Sequence, residues 1–174
     1  MTGDANGNPV HELYHTGLRN QHALEMTAIE LLRRQVERLE HYPELEARLR
    51  QHVGESEQQA ERLQAILDRH GTSSSSAKNA VTSVMGNVAA ALHVPPADEI
   101  LKNSFANYAF EHQEIAAYTS LIAMAERVGD TQALAPLRQS LDEERAMAEF
   151  LGGQIVPTTE RFLALTASGQ TAKT

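Results

Sequence analysis

Cysteine is absent from the 174 residues, and so is tryptophan. Without a thiol the chain can form no disulfide and offers no thiolate to a metal, which fits a cytoplasmic setting. Aromatic residues amount to only 5%, so a core has to be built mostly from Leu, Ala, Ile, Val and Met. No apolar run approaches the ~20 residues that a membrane span needs. The opening MTGDANGNPV has neither the basic nor the apolar part of a signal peptide. Positive charge is scarce as well: 15 Lys and Arg face 23 Asp and Glu, a net charge of −8, which argues against nucleic acid or anionic membrane as a partner. Strand-like alternation is missing throughout.

What is present is helical periodicity. Residues 1–9 read as a disordered tail. From about Val10 to Glu40, Leu18, Ala28, Leu32, Val36 and Leu39 follow helical spacing. His41-Tyr42-Pro43 breaks the pattern, because a residue before proline avoids the helical region. Pro43 then suits the first turn of a second helix over about 43–70, with Gly71 as its stop. GTSSSS (71–76) is a polar connection, followed by a short small-residue helix over 77–92. A third helix is expected from about 98, with Asp98 as candidate N-cap, to 128, where Gly129 stops it. A fourth is expected over 131–152, stopped by Gly152-Gly153, and a short terminal helix over 157–167, before a tail at 168–174. Pro136 leaves two options, a helix starting near Ala135 or one starting at Thr131 and kinked. Neither half could bury its apolar stripe alone, so residues 10–167 form one all-α domain. Two helix hairpins joined by one long crossover make the ferritin-like form of the four-helix bundle.

The buried stripes carry carboxylates at mid-length. In FEHQEIAAYTSL (110–121), Glu111 and Glu114 fall on the apolar face. Tracing each helix at steps of three and four gives Gln21 or His22 and then Glu25 on the first. The second gives His52, then Glu55 or Ser56, then Gln59. The third gives Glu111, Glu114 and Tyr118, and the fourth Glu144. Counted from their joints these carboxylates lie about 14 to 16 residues up, with Glu111 one turn further, so at ~1.5 Å per residue they share one level. Ionised carboxylates cannot share a buried layer unpaired. They are protonated, matched by buried cations, or holding metal. With oxygen and imidazole donors the metal would be iron, manganese or zinc, and two carboxylate-bridged ions would use four to six such ligands. Asp142 and Glu143 read as solvated surface charges. His11, His15, His22, His41, His70, His93 and His112 are scattered and read as having no special role.

HVGESEQQAERLQAIL (52–67), DEILKNSFANYAFEHQEIAAYTSLIAMAE (98–126) and SLDEERAMAEFL (140–151) resemble the YciE/YciF-type ferritin-like family of bacterial stress-associated proteins over about 11–165. The resemblance implies a ferritin-like bundle, often a homodimer, with a candidate dinuclear metal centre, iron first and manganese or zinc as alternatives. By position its ligands would be Glu25, His52, Glu55, Glu111, Glu114 and Glu144. One departure stands out. Di-iron bundles pair a glutamate with a histidine three residues later on two helices, whereas here Gln58 follows Glu55 and Met147 follows Glu144 at that spacing. The expected activity is handling of peroxide or oxygen. The alternative is a non-catalytic stress protein with a stabilising or vestigial metal site.

Overall fold

The computed structural model describes residues 8–72 and 98–172. The helix expected over 77–92 lies outside the described residues, as do 1–7 and 173–174. Among the described residues there are four helices and no strand: α1 (Pro9–Val36), α2 (Pro43–Arg69), α3 (Glu99–Val128) and α4 (Thr131–Ala167). They form a ferritin-like four-helix bundle. None is long and apolar enough to cross a membrane.

The helix ends follow local chemistry. Asn8 caps α1 by accepting the Val10 amide at 3.0 Å, with Pro9 in the first turn and Arg33 and Arg34 in the last. Tyr42, held at φ −130 ahead of Pro43, separates α1 from α2. Asp98 does not cap α3 with its side chain as expected; it pairs with Lys102 at 3.0 Å instead. Gly129 ends α3 at φ +78, and the Asp130 amide returns to the Ala125 carbonyl at 2.9 Å, closing the left-handed cap that glycine favours.

One expected boundary fails. α4 runs unbroken for 37 residues, through both Pro136 and Pro157, and Gly152-Gly153 does not stop it. Gly152 meets the ring of Tyr108, where an added Cβ would stand 3.2 Å from Cε2, so this glycine permits close approach rather than termination. Pro157 forfeits one backbone hydrogen bond, and burial of Thr158 and Leu165 keeps the continued helix docked. Beyond α4, the Tyr42 hydroxyl donates to the Ala172 carbonyl at 2.7 Å, and Ala172 is buried.

Neighbouring helices are antiparallel, α1 with α2 and α3 with α4, and α1 also packs on α3 and α2 on α4. Most of the apolar core lies in two parts, with a small third cluster of Leu24, Ala28 and Phe110 between α1 and α3. One part, around Tyr14, Leu18, Leu63, Leu67, Tyr118, Leu121 and Leu137, fills the end where α3 turns into α4. The other, around Leu32, Leu45, Leu49, Ile100, Met147 and Leu151, fills the end where α1 turns into α2. Each fully buried Leu contributes about 2 kcal/mol, so these two ends hold the bundle together. α2 therefore finishes at one end and α3 begins at the other. Between the two apolar ends lies a buried polar layer: Gln21, Glu25, His52, Ser56, Gln59, Glu111, Glu114 and Glu144.

Candidate metal centre

Three- and four-residue steps on each helix build this layer. α1 contributes Gln21 and Glu25, α2 His52, Ser56 and Gln59, α3 Glu111, Glu114 and Tyr118, and α4 Glu144, all on inward faces. One donor atom from each of His52, Glu111, Glu114 and Glu144 falls within 4.8 Å of the others. His52 Nε2 stands 3.2 Å from Glu111 Oε2 and 3.7 Å from Glu144 Oε2. Those contacts lack the directionality of hydrogen bonds, and all three atoms are unpartnered.

Glu25 lies beside this group rather than within it. Its Oε1 accepts the Tyr118 hydroxyl at 2.6 Å and Gln21 Nε2 at 2.9 Å. Gln21 Nε2 also reaches Glu114 Oε1 at 3.2 Å, so one amide fork bridges two carboxylates on different helices. Of the two candidates at this step of α1, Gln21 faces the layer and His22 is only half-buried.

Glu55 does not reach the cluster. Ser56 takes the inward position on α2, and Glu55 turns to the rim. There it accepts from Arg48 Nη1 at 2.9 Å and Gln51 Nε2 at 2.8 Å, and its Oε2 lies 2.9 Å from His52 Nδ1. With Nδ1–H donating to Glu55, the imidazole presents Nε2 to Glu111 and Glu144. A carboxylate on the far nitrogen is the usual support of a metal-binding histidine.

The electrostatics reflect burial without compensation. Desolvation, opposed by the Tyr118 and Gln21 hydrogen bonds, pushes Glu25 up to about 7. Glu114 rises well above the usual carboxylate range through burial and then repulsion from Glu25, Glu144 and Glu111. Burial and the adjacent Glu111 do the same to Glu144. Burial alone would push His52 down, but Glu111, Glu55 and Glu144 outweigh it and raise the imidazole to about 10. Glu55 goes the opposite way: against its partial burial, His52, Arg48 and Gln51 hold it near 2.

Six carboxylate and imidazole atoms of the layer have no hydrogen-bond partner among the described residues: Glu25 Oε2, His52 Nε2, Glu111 Oε2, Glu114 Oε2 and both Glu144 oxygens; Ser56 Oγ and Gln59 Oε1 beside them are likewise unpartnered. Buried polar atoms are ordinarily satisfied, so a set this dense and this acidic fits a cation. Oxygen and imidazole donors without sulfur suit iron, manganese or zinc.

Glu143 departs from its reading as a solvated charge. Arg62 clasps it at 2.6 and 2.8 Å, and Gln59 donates to it at 3.1 Å, joining α2 to α4 beside the cluster. Gln59 and Arg62, three residues apart on α2, were the available signal. A narrow groove between α1 and α3, lined by Ala28, Leu31, Ala106 and Phe110, reaches Glu111 and has a cavity of about 20 Å³. The paired amides of Gln35 and Asn107, at 2.8 and 3.2 Å, flank it. A larger surface cavity of about 340 Å³, lined by Tyr42, Pro157 and Arg161, does not touch the carboxylates.

Known proteins agree with this architecture. A protein of Xanthomonas campestris pv. campestris superposes with a TM-score of 0.76 at 28% identity, over 92% of this chain and 99% of that one. YcfI of Rhodopseudomonas palustris gives 0.70 at 25%, over 86% and 96%. The E. coli stress protein YciF gives 0.70 at 19%, also over 86% and 96%, a likeness of fold. The family described as "Domain of unknown function (DUF892)" matches residues 9–164. The chain belongs to that family, whose YciF-type structures share its ferritin-like bundle.

Proposed function

We propose that this protein is a metal-binding bundle whose buried layer holds two iron or manganese ions, and that it handles peroxide or dioxygen. The observation that carries this reading is the set of six orphaned donor atoms on Glu25, His52, Glu111, Glu114 and Glu144. Among the described residues four buried carboxylates face a single histidine, and no Lys or Arg is buried among them. Two divalent ions would balance that charge.

Glu111, Glu114, Glu144 and His52 would hold the ions, with Glu25 completing the second. Glu55 orients His52 through Nδ1, and Tyr118 keeps its proton on the phenol oxygen while donating to Glu25. Iron or manganese, when bound, would supply the redox chemistry. The apolar groove to Glu111 suits a molecule of about the size of water. A stress setting, implied by the family resemblance, would give peroxide handling its purpose.

Elemental analysis of protein freshly purified after iron-supplemented expression tests this, with about two metals per chain expected. Glu114→Ala should lose both metal and peroxide consumption. Protein that carries no metal ends the reading.

A second reading, a structural staple, is favoured by the single histidine in the layer and the missing Glu-x-x-His. It requires bound metal without turnover, so peroxide consumption well above that of free iron excludes it.

A further inference from the structure

We infer that the bundle carries a second cation site, rich in imidazole, at the start of α1, where His15 and His70, joined by His11, are placed to bind a late divalent ion such as zinc, nickel or copper. His11 and His15 lie one turn apart on the same face of α1. His70 follows the last turn of α2 and brings its ring to 4.9 Å from that of His15, centroid to centroid. An imidazole bound at about 2.0–2.1 Å puts its centroid ~3.2 Å from the ion, so two adjacent rings on one ion stand roughly 4.5–5.3 Å apart. The His15–His70 pair meets that spacing. His11 and His15 are 6.4 Å apart, about 1 Å too far, so His11 would have to move its ring to join the pair.

Two further features point to a ligand. His15 Nε2 is buried and has no hydrogen-bond partner among the described residues. His70 Nε2 lies 2.8 Å from Asp130 Oδ2, which also accepts from Tyr14 and Arg69, and this leaves Nδ1 of His70 for an ion. Carboxylate support of that kind fixes the ring of a metal-binding histidine. Burial, then the neighbouring His70, hold His15 below the usual histidine range, in the neutral form that ligation needs. The site is separate from the carboxylate layer: His15 and Glu25 are ten residues apart on α1, about 15 Å at ~1.5 Å per residue.

Copper(II) distinguishes the two sites, because the layer offers one imidazole and the α1 site offers two or three. Tag-free, full-length protein with one equivalent of Cu²⁺ should show a pulsed electron paramagnetic resonance signature of two or three imidazoles. That count should survive His52→Ala, fall from three to two in His11→Ala where His11 joins, and collapse in His15→Ala, with the Cu²⁺ Kd raised about tenfold or more in His15→Ala. A single-imidazole spectrum in the wild type, or an unchanged one in His15→Ala, overturns the site. Thermal melts by circular dichroism establish that each variant folds. Should His15→Ala not fold, His70→Ala decides: a reduced count supports the site, and an unchanged count overturns it.

Discussion

Glu25 and Asp130 each accept a tyrosine hydroxyl, from Tyr118 at 2.6 Å and Tyr14 at 3.0 Å, yet the two regions settle their charge in opposite ways. Asp130 has a cationic neighbour of its own, Arg69 at 3.0 Å, and a hydrogen-bonding imidazole, His70, at 2.8 Å. Against partial burial, His70, Tyr14 and Arg69 hold its carboxyl below the usual range. The mid-height layer packs four carboxylates with one histidine, and its glutamates Glu25, Glu114 and Glu144 are pushed up. An uncompensated buried charge costs several kcal/mol. At the turn the carboxylate is paired by its protein neighbours, whereas the layer holds carboxylates that only a cation would pair.

The largest expected effect follows from that contrast. Anything that binds the folded state stabilises it, by about 4 kcal/mol at a thousandfold excess over Kd. At roughly 2–4 °C per kcal/mol for a domain of this size, stripping the layer with a chelator should lower the Tm by about 8–16 °C in differential scanning calorimetry. Identical melting of loaded and stripped protein would mean that the layer is as self-sufficient as the Asp130 cluster.

Next in size is a reversal of sign. Glu114→Gln keeps the shape, replaces a carboxyl whose ionisation the layer opposes with a neutral amide, and so removes the repulsion with Glu25, Glu144 and Glu111. Metal-free protein should gain about 1–2 kcal/mol, a Tm rise of roughly 2–8 °C, because unpaired buried charges are replaced at a profit by neutral groups. The metal-dependent rise should disappear in the same variant. A metal-free Tm that falls instead would show that Glu114 is already satisfied by its protein neighbours.

The sequence made the bundle and the level of its acidic layer legible because both rest on one rule, the three- and four-residue spacing of inward faces. That rule singles out Glu111 and Glu114 inside an apolar stripe, and Glu25 and Glu144 at matching depth. It cannot decide between Glu55 and Ser56, which differ by about 100° around α2. Arg48 and Gln51 settle that choice by drawing Glu55 outward, and a spacing rule does not register them. Gly152 reads as a stop in one dimension, and only the Tyr108 ring on α3 reveals it as a close approach. His15 and His70 come from different helices of one hairpin, so their proximity depends on where the turn at Tyr42 sets the register.

Asp130→Asn probes the other region. It should cost about 1–2 kcal/mol, since the carboxylate's hydrogen bonds to Arg69 and His70 are weakened. The Arg69 side chain is 34% exposed, so water recovers part of the loss. A Tm lower by roughly 2–8 °C is expected, equal in loaded and stripped protein when iron is the probe. A drop that depends on iron would tie the turn region to the layer and undo the contrast between them.

Tyr14→Phe should have the smallest effect. The ring stays in the apolar core with Leu18, Leu67 and Leu137, so no cavity opens. Only the hydroxyl goes, and Asp130 Oδ2 keeps Arg69 and His70 as donors. An acceptor that is not orphaned forfeits a single net hydrogen bond, about 0.5–1 kcal/mol, or roughly 1–4 °C in Tm. The phenol also carries a raised pKa, through burial and then the Asp130 carboxylate, so it is a neutral donor throughout the physiological range and the loss should not vary with pH there. A fall as large as that of Asp130→Asn would mean that the tyrosine, rather than Arg69 and His70, keeps Asp130 charged. In that case the turn cluster would share the dependence on a phenol donor that marks Glu25.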